Sequence, residues 1–227
     1  MVKNINNKDN VLLSIMNASY RYNDALENEY ALKDINYDFE KGKIYAIRGR
    51  SGTGKTTLLS LISGLERCTS GKIIYDGKNL KDINLDSYRN SQIGIVFQSY
   101  NLLPYMTASE NIVLSMDVSG IKIPNKKKRA IELMESVGLK SSYADRKVLK
   151  LSGGEQQRVA IARSLSYNPK MIIADEPTGN LDKQTESEIL DIFKDLAHKE
   201  GKCVIIVTHS SNVCDVADEV YDLKKIK

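Results

Sequence analysis

The chain is poor in the features that mark stapled, metal-bound or membrane-spanning proteins. Its 227 residues include only three cysteines, Cys68, Cys203 and Cys214. None of the three stands at metal-ligand or redox spacing, which excludes a disulfide framework and a zinc module and suggests a reducing compartment. No apolar run approaches the roughly 18 residues of a membrane span. The stretch from Met1 to Asn10 is polar, reads as a loose tail and lacks the signal-peptide pattern. There is no internal repeat, no low-complexity tract and no heptad run. Charge of either sign is not in large excess: 33 basic against 29 acidic residues leave a net +4, which gives no case for nucleic acid. The strongest basic run, Lys126-Lys127-Lys128-Arg129, opens a helix and reads as a solvated face, with a membrane-surface or nucleic-acid patch as the lesser alternative. Lys224-Lys225-Ile226-Lys227 is read the same way. With 41% hydrophobic residues, the length fits one large α/β domain with room for an inserted subdomain.

The strongest positive signal lies between residues 44 and 65. Ile44-Tyr45-Ala46-Ile47 is a short apolar run with the look of a buried strand. Gly49-Arg50-Ser51-Gly52-Thr53-Gly54-Lys55-Thr56 then fits G-x-x-x-x-G-K-[ST], the phosphate-binding loop, and Thr57 follows. Leu58, Leu59, Leu61, Ile62 and Leu65 recur at helical spacing behind it. Glycines let the backbone curl so that successive N–H groups face an anion, and the helix N-terminus adds partial positive charge. In this motif Lys55 reaches the β- and γ-phosphates and the Thr56 hydroxyl ligates Mg²⁺.

Before the loop, Leu12 to Met16 starts a strand, and Ile35, Tyr37 and Phe39 alternate with polar residues. The opening therefore reads as an antiparallel sheet. Lys72 to Tyr75 adds a short strand with a hairpin signal at Asp76-Gly77. Three more buried strands are expected at Ile93 to Phe97, Met171 to Ala174 and Val204 to Thr208. They end on Gln98, on Asp175-Glu176 and on His209. In parallel α/β sheets the site lies at the carboxyl ends of the strands, so these residues should converge on the phosphate loop. From Ser99 to about Tyr167 the pattern turns helical, with breaks at Pro104 and Pro124, and reads as an inserted helical subdomain. An amphipathic helix at 185–199 turns Ile189, Leu190, Phe193 and Leu196 inward. A last helix near Val213 and a last strand at 220–223 close the chain.

Asp175, after an apolar strand, fits the carboxylate that holds Mg²⁺ between the β- and γ-phosphates. Glu176 is then free to act as the general base toward water. Leu151-Ser152-Gly153-Gly154-Glu155-Gln156 is a second motif. Ser152 can cap the helix that follows, and two glycines at its start make a second anion site of the same physical kind.

With these residues in order, the chain resembles the nucleotide-binding ATPase subunits of ATP-binding-cassette (ABC) transporters over roughly residues 12–223. The Leu-Ser-Gly-Gly-Glu-Gln run beside a phosphate loop carries the resemblance. It implies an α/β phosphate-loop NTPase core at 1–98 and 168–227 with an antiparallel β subdomain, and a helical subdomain at 99–167 that bears the signature. It further implies ATP and Mg²⁺ as ligands, and two copies pairing head to tail. Ser152, Gly153 and Gly154 of one copy would close on the γ-phosphate held by the Arg50-to-Thr57 loop of the other. By the same resemblance Gln98 would touch Mg²⁺ and water, His209 would meet the γ-phosphate, and Asp182 would lie at the subunit interface. Tyr22 or Tyr20 would stack on adenine, with the spacing from Leu32 favouring Tyr22. His198 is left as a surface residue.

The runs 93–104 and 175–182 are similar to those of the macrolide-exporter and lipoprotein-release group. That implies a peripheral protein on the cytoplasmic face of the bacterial cell membrane. It would reach the membrane only through a permease seated near residues 99–111, with Ser99 at the start and Asn111 at the end. Export or mechanical transmission is the first expectation, and control of a membrane complex without transport is the alternative. Departures are small. Threonines stand at 53, 56 and 57 where serines are commoner, and Asp222-Leu223-Lys224 lacks the usual Asp-Gly turn, which puts only a closing hairpin in doubt.

Overall fold

A computed structural model describes residues 10–22, 26 and 29–224. Of the tail expected over residues 1–10, all but Asn10 lies outside the described residues, as do residues 23–25, 27–28 and 225–227; Asn10 is bonded to Lys41. Strands β1 (Val11–Tyr20) and β2 (Leu32–Glu40) pair antiparallel, followed by β3 (Ile44–Arg48) and helix α1 (Lys55–Ile62). β4 (Ser70–Tyr75) and β5 (Lys78–Asn79) form the Asp76-Gly77 hairpin, and both turn residues take positive φ. Then come α2 (Leu85–Ser91), β6 (Ile93–Val96), α3 (Ala108–Ser119), α4 (Lys126–Ser136), α5 (Gly153–Ser164) and β7 (Met171–Asp175). The chain ends in α6 (Lys183–Lys194), β8 (Cys203–Thr208), α7 (Ser211–Val216) and β9 (Glu219–Asp222).

Two sheets result. The antiparallel one runs β2-β1-β4-β5; the parallel one runs β6-β7-β8-β3-β9. The inner strands of the parallel sheet are buried on both faces, which is why β3, β7 and β8 read as unbroken apolar runs. Alternate residues feed two cores. Ile44 and Ala46 pack with the helices of residues 108–216, whereas Tyr45 and Ile47 pack with α1 and the antiparallel sheet. An aromatic cluster joins the sheets: Tyr37 stacks on Tyr221 at 4.2 Å, and Phe39 meets Tyr45 edge-on at 4.9 Å. Such pairs add about 0.5–1.5 kcal/mol beyond their burial. The Tyr45 hydroxyl accepts the Glu40 amide proton at 2.8 Å, so the buried phenol is satisfied.

The helical reading from Ser99 onward needs correction. Residues 99–107 are irregular, and α3 begins only at Ala108. Tyr100 and Asn101 take left-handed φ of 59° and 49°. The Arg163 guanidinium, on α5, donates to both of their carbonyls. Asn111 pins the next stretch by bonding both backbone groups of Leu103. A capping box, Thr107 with Glu110, then starts the helix. This Thr-x-x-Glu pattern was present in the sequence and marks the true start. The basic run at 126–129 behaves as a solvated face, with Lys126 on Asp117, Lys127 on Asp145 and Arg129 on Glu132.

The amphipathic helix is α6 followed by one π-turn over 195–199. Ile189, Leu190, Phe193 and Leu196 are buried as the pattern implied. Truncating Phe193, with no exposed surface, would cost about 3–5 kcal/mol.

Candidate functional site

The phosphate loop follows β3 and closes on itself. The Thr53 amide and hydroxyl both donate to the Arg50 carbonyl, at 3.3 and 2.9 Å. Gly49 must lack a side chain, because a carbon there would stand 2.4 Å from Thr53 Oγ1. Gly54 caps α1 at φ 91°, and a side chain there would meet the Ala31 carbonyl at 2.6 Å. The first turn of α1 carries no acidic residue, so the helix itself does not offset its positive end. Lys55 Nζ donates to the carbonyls of Gly49 and Arg50 at 2.8 and 3.3 Å, folded across the loop.

The other strand ends surround this loop in sheet order, since β7 lies between β6 and β8 and β8 lies beside β3. Asp175 ends β7, half-buried. Burial and then the charge of Glu176 push its carboxyl above the usual carboxylate range, and Lys55 opposes them. A cation at Asp175 would relieve that repulsion. The Thr56 hydroxyl, the Asp175 carboxylate and the Gln98 amide oxygen are hard oxygen donors, the set that suits Mg²⁺. Among the described residues no cluster of three or more His, Cys, Asp or Glu gathers as a metal site. Thr56, Asp175 and Gln98 are the residues that would hold such an ion.

Glu176 has left-handed backbone, φ 45°, and its amide donates to Val207 O. That turn aims its carboxylate at the end of β8. Oε1 lies 2.7 Å from His209 Nδ1, while Oε2 accepts from the Thr208 hydroxyl at 3.2 Å and the His209 amide at 3.3 Å. The carboxylate side chain is 12% exposed and the imidazole 70%. Gln98 stands against the 176–179 turn, with its Nε2 3.1 Å from where a Gly179 side chain would begin. Tyr22 is 49% exposed, and its hydroxyl lies 2.8 Å from Thr57 Oγ1 behind the phosphate loop. Tyr20 is buried beneath it, their rings meeting edge-on at 5.1 Å.

The signature run forms a separate pole. Ser152 caps α5 in a capping box with Glu155, as its place before the helix implied, and the helix begins at Gly153. The atoms nearest to side-chain positions at Gly153 and Gly154 belong to Tyr100, Leu181 and Thr185, not to the phosphate loop. Asp182 caps α6, accepting from the amides of Gln184 and Thr185 at 3.0 and 3.1 Å. The Thr185 hydroxyl, at 2.6 Å, and then the Thr185 amide hold the Asp182 carboxyl below its usual range. Residues that sequence reasoning did not single out also shape the site. Thr208 holds Glu176, Gln157 on α5 donates to Pro177 O at 2.8 Å, and Arg163 sets the turn at Tyr100. Nothing local in the sequence marks these contacts.

A family model described as ABC transporter matches residues 32–179. The ABC transporter ATP-binding protein YclH of Bacillus subtilis is 49% identical over 207 residues, covering 91% of each chain. The lipoprotein-releasing system ATP-binding protein LolD of Francisella tularensis is 39% identical over 220 residues, covering 95% of this chain and 94% of its own. The cassette MJ0796 of Methanocaldococcus jannaschii has a solved dimeric structure of a post-hydrolysis state bound to ADP and Pi. It matches with a TM-score of 0.84 at 37% identity, covering 94% of each chain.

Proposed function

The chain belongs to the ABC transporter family and is an ATPase of it, and on that premise we propose that two copies pair head to tail around two ATP·Mg²⁺ and drive a membrane-spanning partner. The observation that supports this is that the two glycine-bearing helix starts of one chain lie in different surroundings. The phosphate loop is backed by β3 and α1, whereas the Ser152-Gly153-Gly154 pole is packed on Tyr100, Leu181 and Thr185. A second copy turned head to tail would bring each pole onto the other's loop. That the MJ0796 cassette is solved as a dimer supports pairing of two copies.

In this reading the loop amides, with Arg50, Ser51, Gly52, Thr53, Gly54 and Lys55, hold the phosphates, and Thr57 sits behind them against Tyr22, the side chain offered to adenine. Thr56, Asp175 and Gln98 would hold Mg²⁺, which neutralises charge across the β- and γ-phosphates when bound. Glu176 takes a proton from the attacking water as general base, and His209, beside it, faces the γ-phosphate. Asp182 braces α6 next to the partner. Leu103 and Tyr105 are 45% and 83% exposed within residues 99–111, apolar anchors on offer to the permease. Export or mechanical transmission, as in lipoprotein release, is the finer function, performed from the cytoplasmic face. No helix among the described residues is long and apolar enough to cross a membrane.

The test uses Glu176→Gln protein with ATP. Light scattering should show a dimer that forms with ATP, fails with Lys55→Ala added, and co-purifies from detergent-solubilised membranes with a multi-span protein. A monomer under saturating ATP would remove the head-to-tail reading. Recovery of soluble chains alone would remove the membrane partner.

A further inference from the structure

The carboxylate of Glu186, in the first turn of α6, gathers three side chains from two other segments. Its Oε1 accepts from the Thr178 hydroxyl at 3.1 Å and from the Ser210 hydroxyl at 3.1 Å. Its Oε2 accepts from Asn212 Nδ2 at 2.8 Å. Thr178 is buried and lies two residues past Glu176. Ser210 and Asn212 flank the turn just beyond His209. On the far side, the Ser210 amide donates to Thr208 Oγ1 at 2.9 Å, and that hydroxyl donates to Glu176 Oε2 at 3.2 Å. The bonds close a ring that leads from Glu176 to Thr208, Ser210, Glu186 and Thr178, and along the chain back to Glu176.

We infer that Glu186 is a positioning residue for hydrolysis: it fixes the His209 loop against the Glu176 turn. The inference rests on the reading of Glu176 and His209 given above. The need for such a brace follows from the local backbone. Glu176 sits in a left-handed conformation at φ 45°, which a non-glycine residue holds only where its surroundings over-determine it. His209 is exposed, and among the described residues its imidazole is hydrogen-bonded to Glu176. A carboxylate can accept from several donors at once, and bonds to a charged acceptor are stronger than neutral ones. Glu186 is anchored on a helix whose next turns bury Ile189, Leu190 and Phe193, so the brace has a rigid base. Without it, the 208–212 turn loses two side-chain ties and the 176–179 turn loses one.

The test is steady-state ATP turnover of Glu186→Ala and Glu186→Gln, with KM for ATP and thermal unfolding measured alongside. Misplacement on the ångström scale costs about 10- to 100-fold, so Glu186→Ala should lower kcat by that factor with KM for ATP within twofold. Glu186→Gln keeps an acceptor oxygen for Thr178 and Ser210 and should recover most of the loss. Glu186→Ala added to His209→Ala should lower kcat less than the product of the single effects, because the brace acts through the histidine. Wild-type kcat in Glu186→Ala, a rise in KM alone, or a double loss equal to that product would each overturn the inference. If Glu176→Gln and His209→Ala themselves turn over normally, the reading of the site has failed, not the brace alone.

Discussion

The chain has two histidines, and each faces a carboxylate at an opposite end of one parallel sheet. At the carboxyl ends, His209 Nδ1 lies 2.7 Å from Glu176. At the amino ends, His198 Nε2 lies 2.9 Å from Asp218. The pairs match in chemistry and nearly in distance, yet they sit in different company. Asp218 also accepts the Ile44 amide at 2.7 Å, so it holds the first N–H of β3 and ties the π-turn after α6 to the start of β9. Glu176 closes no strand start. Its own left-handed backbone turns its carboxylate onto Thr208 and His209 at the end of β8, beside the strand end that carries Asp175. The same pair is a clasp at one end and a candidate for chemistry at the other. The difference lies in what the strand ends bring together.

That contrast can be broken at the upper end first. Glu176→Gln should lower ATP turnover by at least about 10³-fold, within the range of a lost general base, while ATP affinity stays. Loss of affinity equal to the loss of turnover would make Glu176 a binding group instead. Lys55→Ala comes next. Removing the ammonium that spans the loop should weaken nucleotide binding by at least about tenfold, near 1.4 kcal/mol, and unchanged affinity by titration would refute the loop's role.

The lower end should answer in stability and not in rate. Asp218→Asn should cost about 1 kcal/mol, discounted for partial exposure, with kcat within twofold of wild type. The effect has a sign with pH. Burial on its own would raise the Asp218 carboxyl, but the bonds from His198 and the Ile44 amide overrule it and hold it below the usual range. A folded-state pKa below the unfolded value gives stability that is complete above about pH 4 and fades as pH falls through the folded value. The stability gap between wild type and Asp218→Asn should therefore hold from neutral pH down to about pH 5 and close in stronger acid. A gap that widens in acid would contradict the clasp.

The two ends also differ in how far the sequence disclosed them. The upper end was legible because inner parallel strands are buried on both faces and so appear as apolar runs. Each run stops at the residue that faces the site: Asp175 after Met171 to Ala174, and His209 after Cys203 to Thr208. The phosphate loop and the signature carry their own local backbone requirements, glycines at positive φ and a helix cap, and these are written in short spans. Strand order, the tilt of Glu176 toward His209 and the Glu186 ring were not legible, because each joins residues far apart in the chain through packing. His198 reads as a surface residue and is one, 45% exposed; its bond to Asp218 was not legible, since Asp218 is twenty positions away. The 99–107 segment misled because Leu102, Leu103 and Met106 mimic helical spacing, while Arg163, from a distant helix, holds Tyr100 and Asn101 out of it.

The most direct measurement is ATP turnover of His209→Ala and His198→Ala, purified and assayed side by side with their unfolding midpoints. Placement at the strand ends predicts a fall of at least about 100-fold for His209→Ala. His198→Ala should turn over within twofold of wild type and unfold at a lower temperature. Equal falls in both, or an active His209→Ala beside an inactive His198→Ala, would contradict the account.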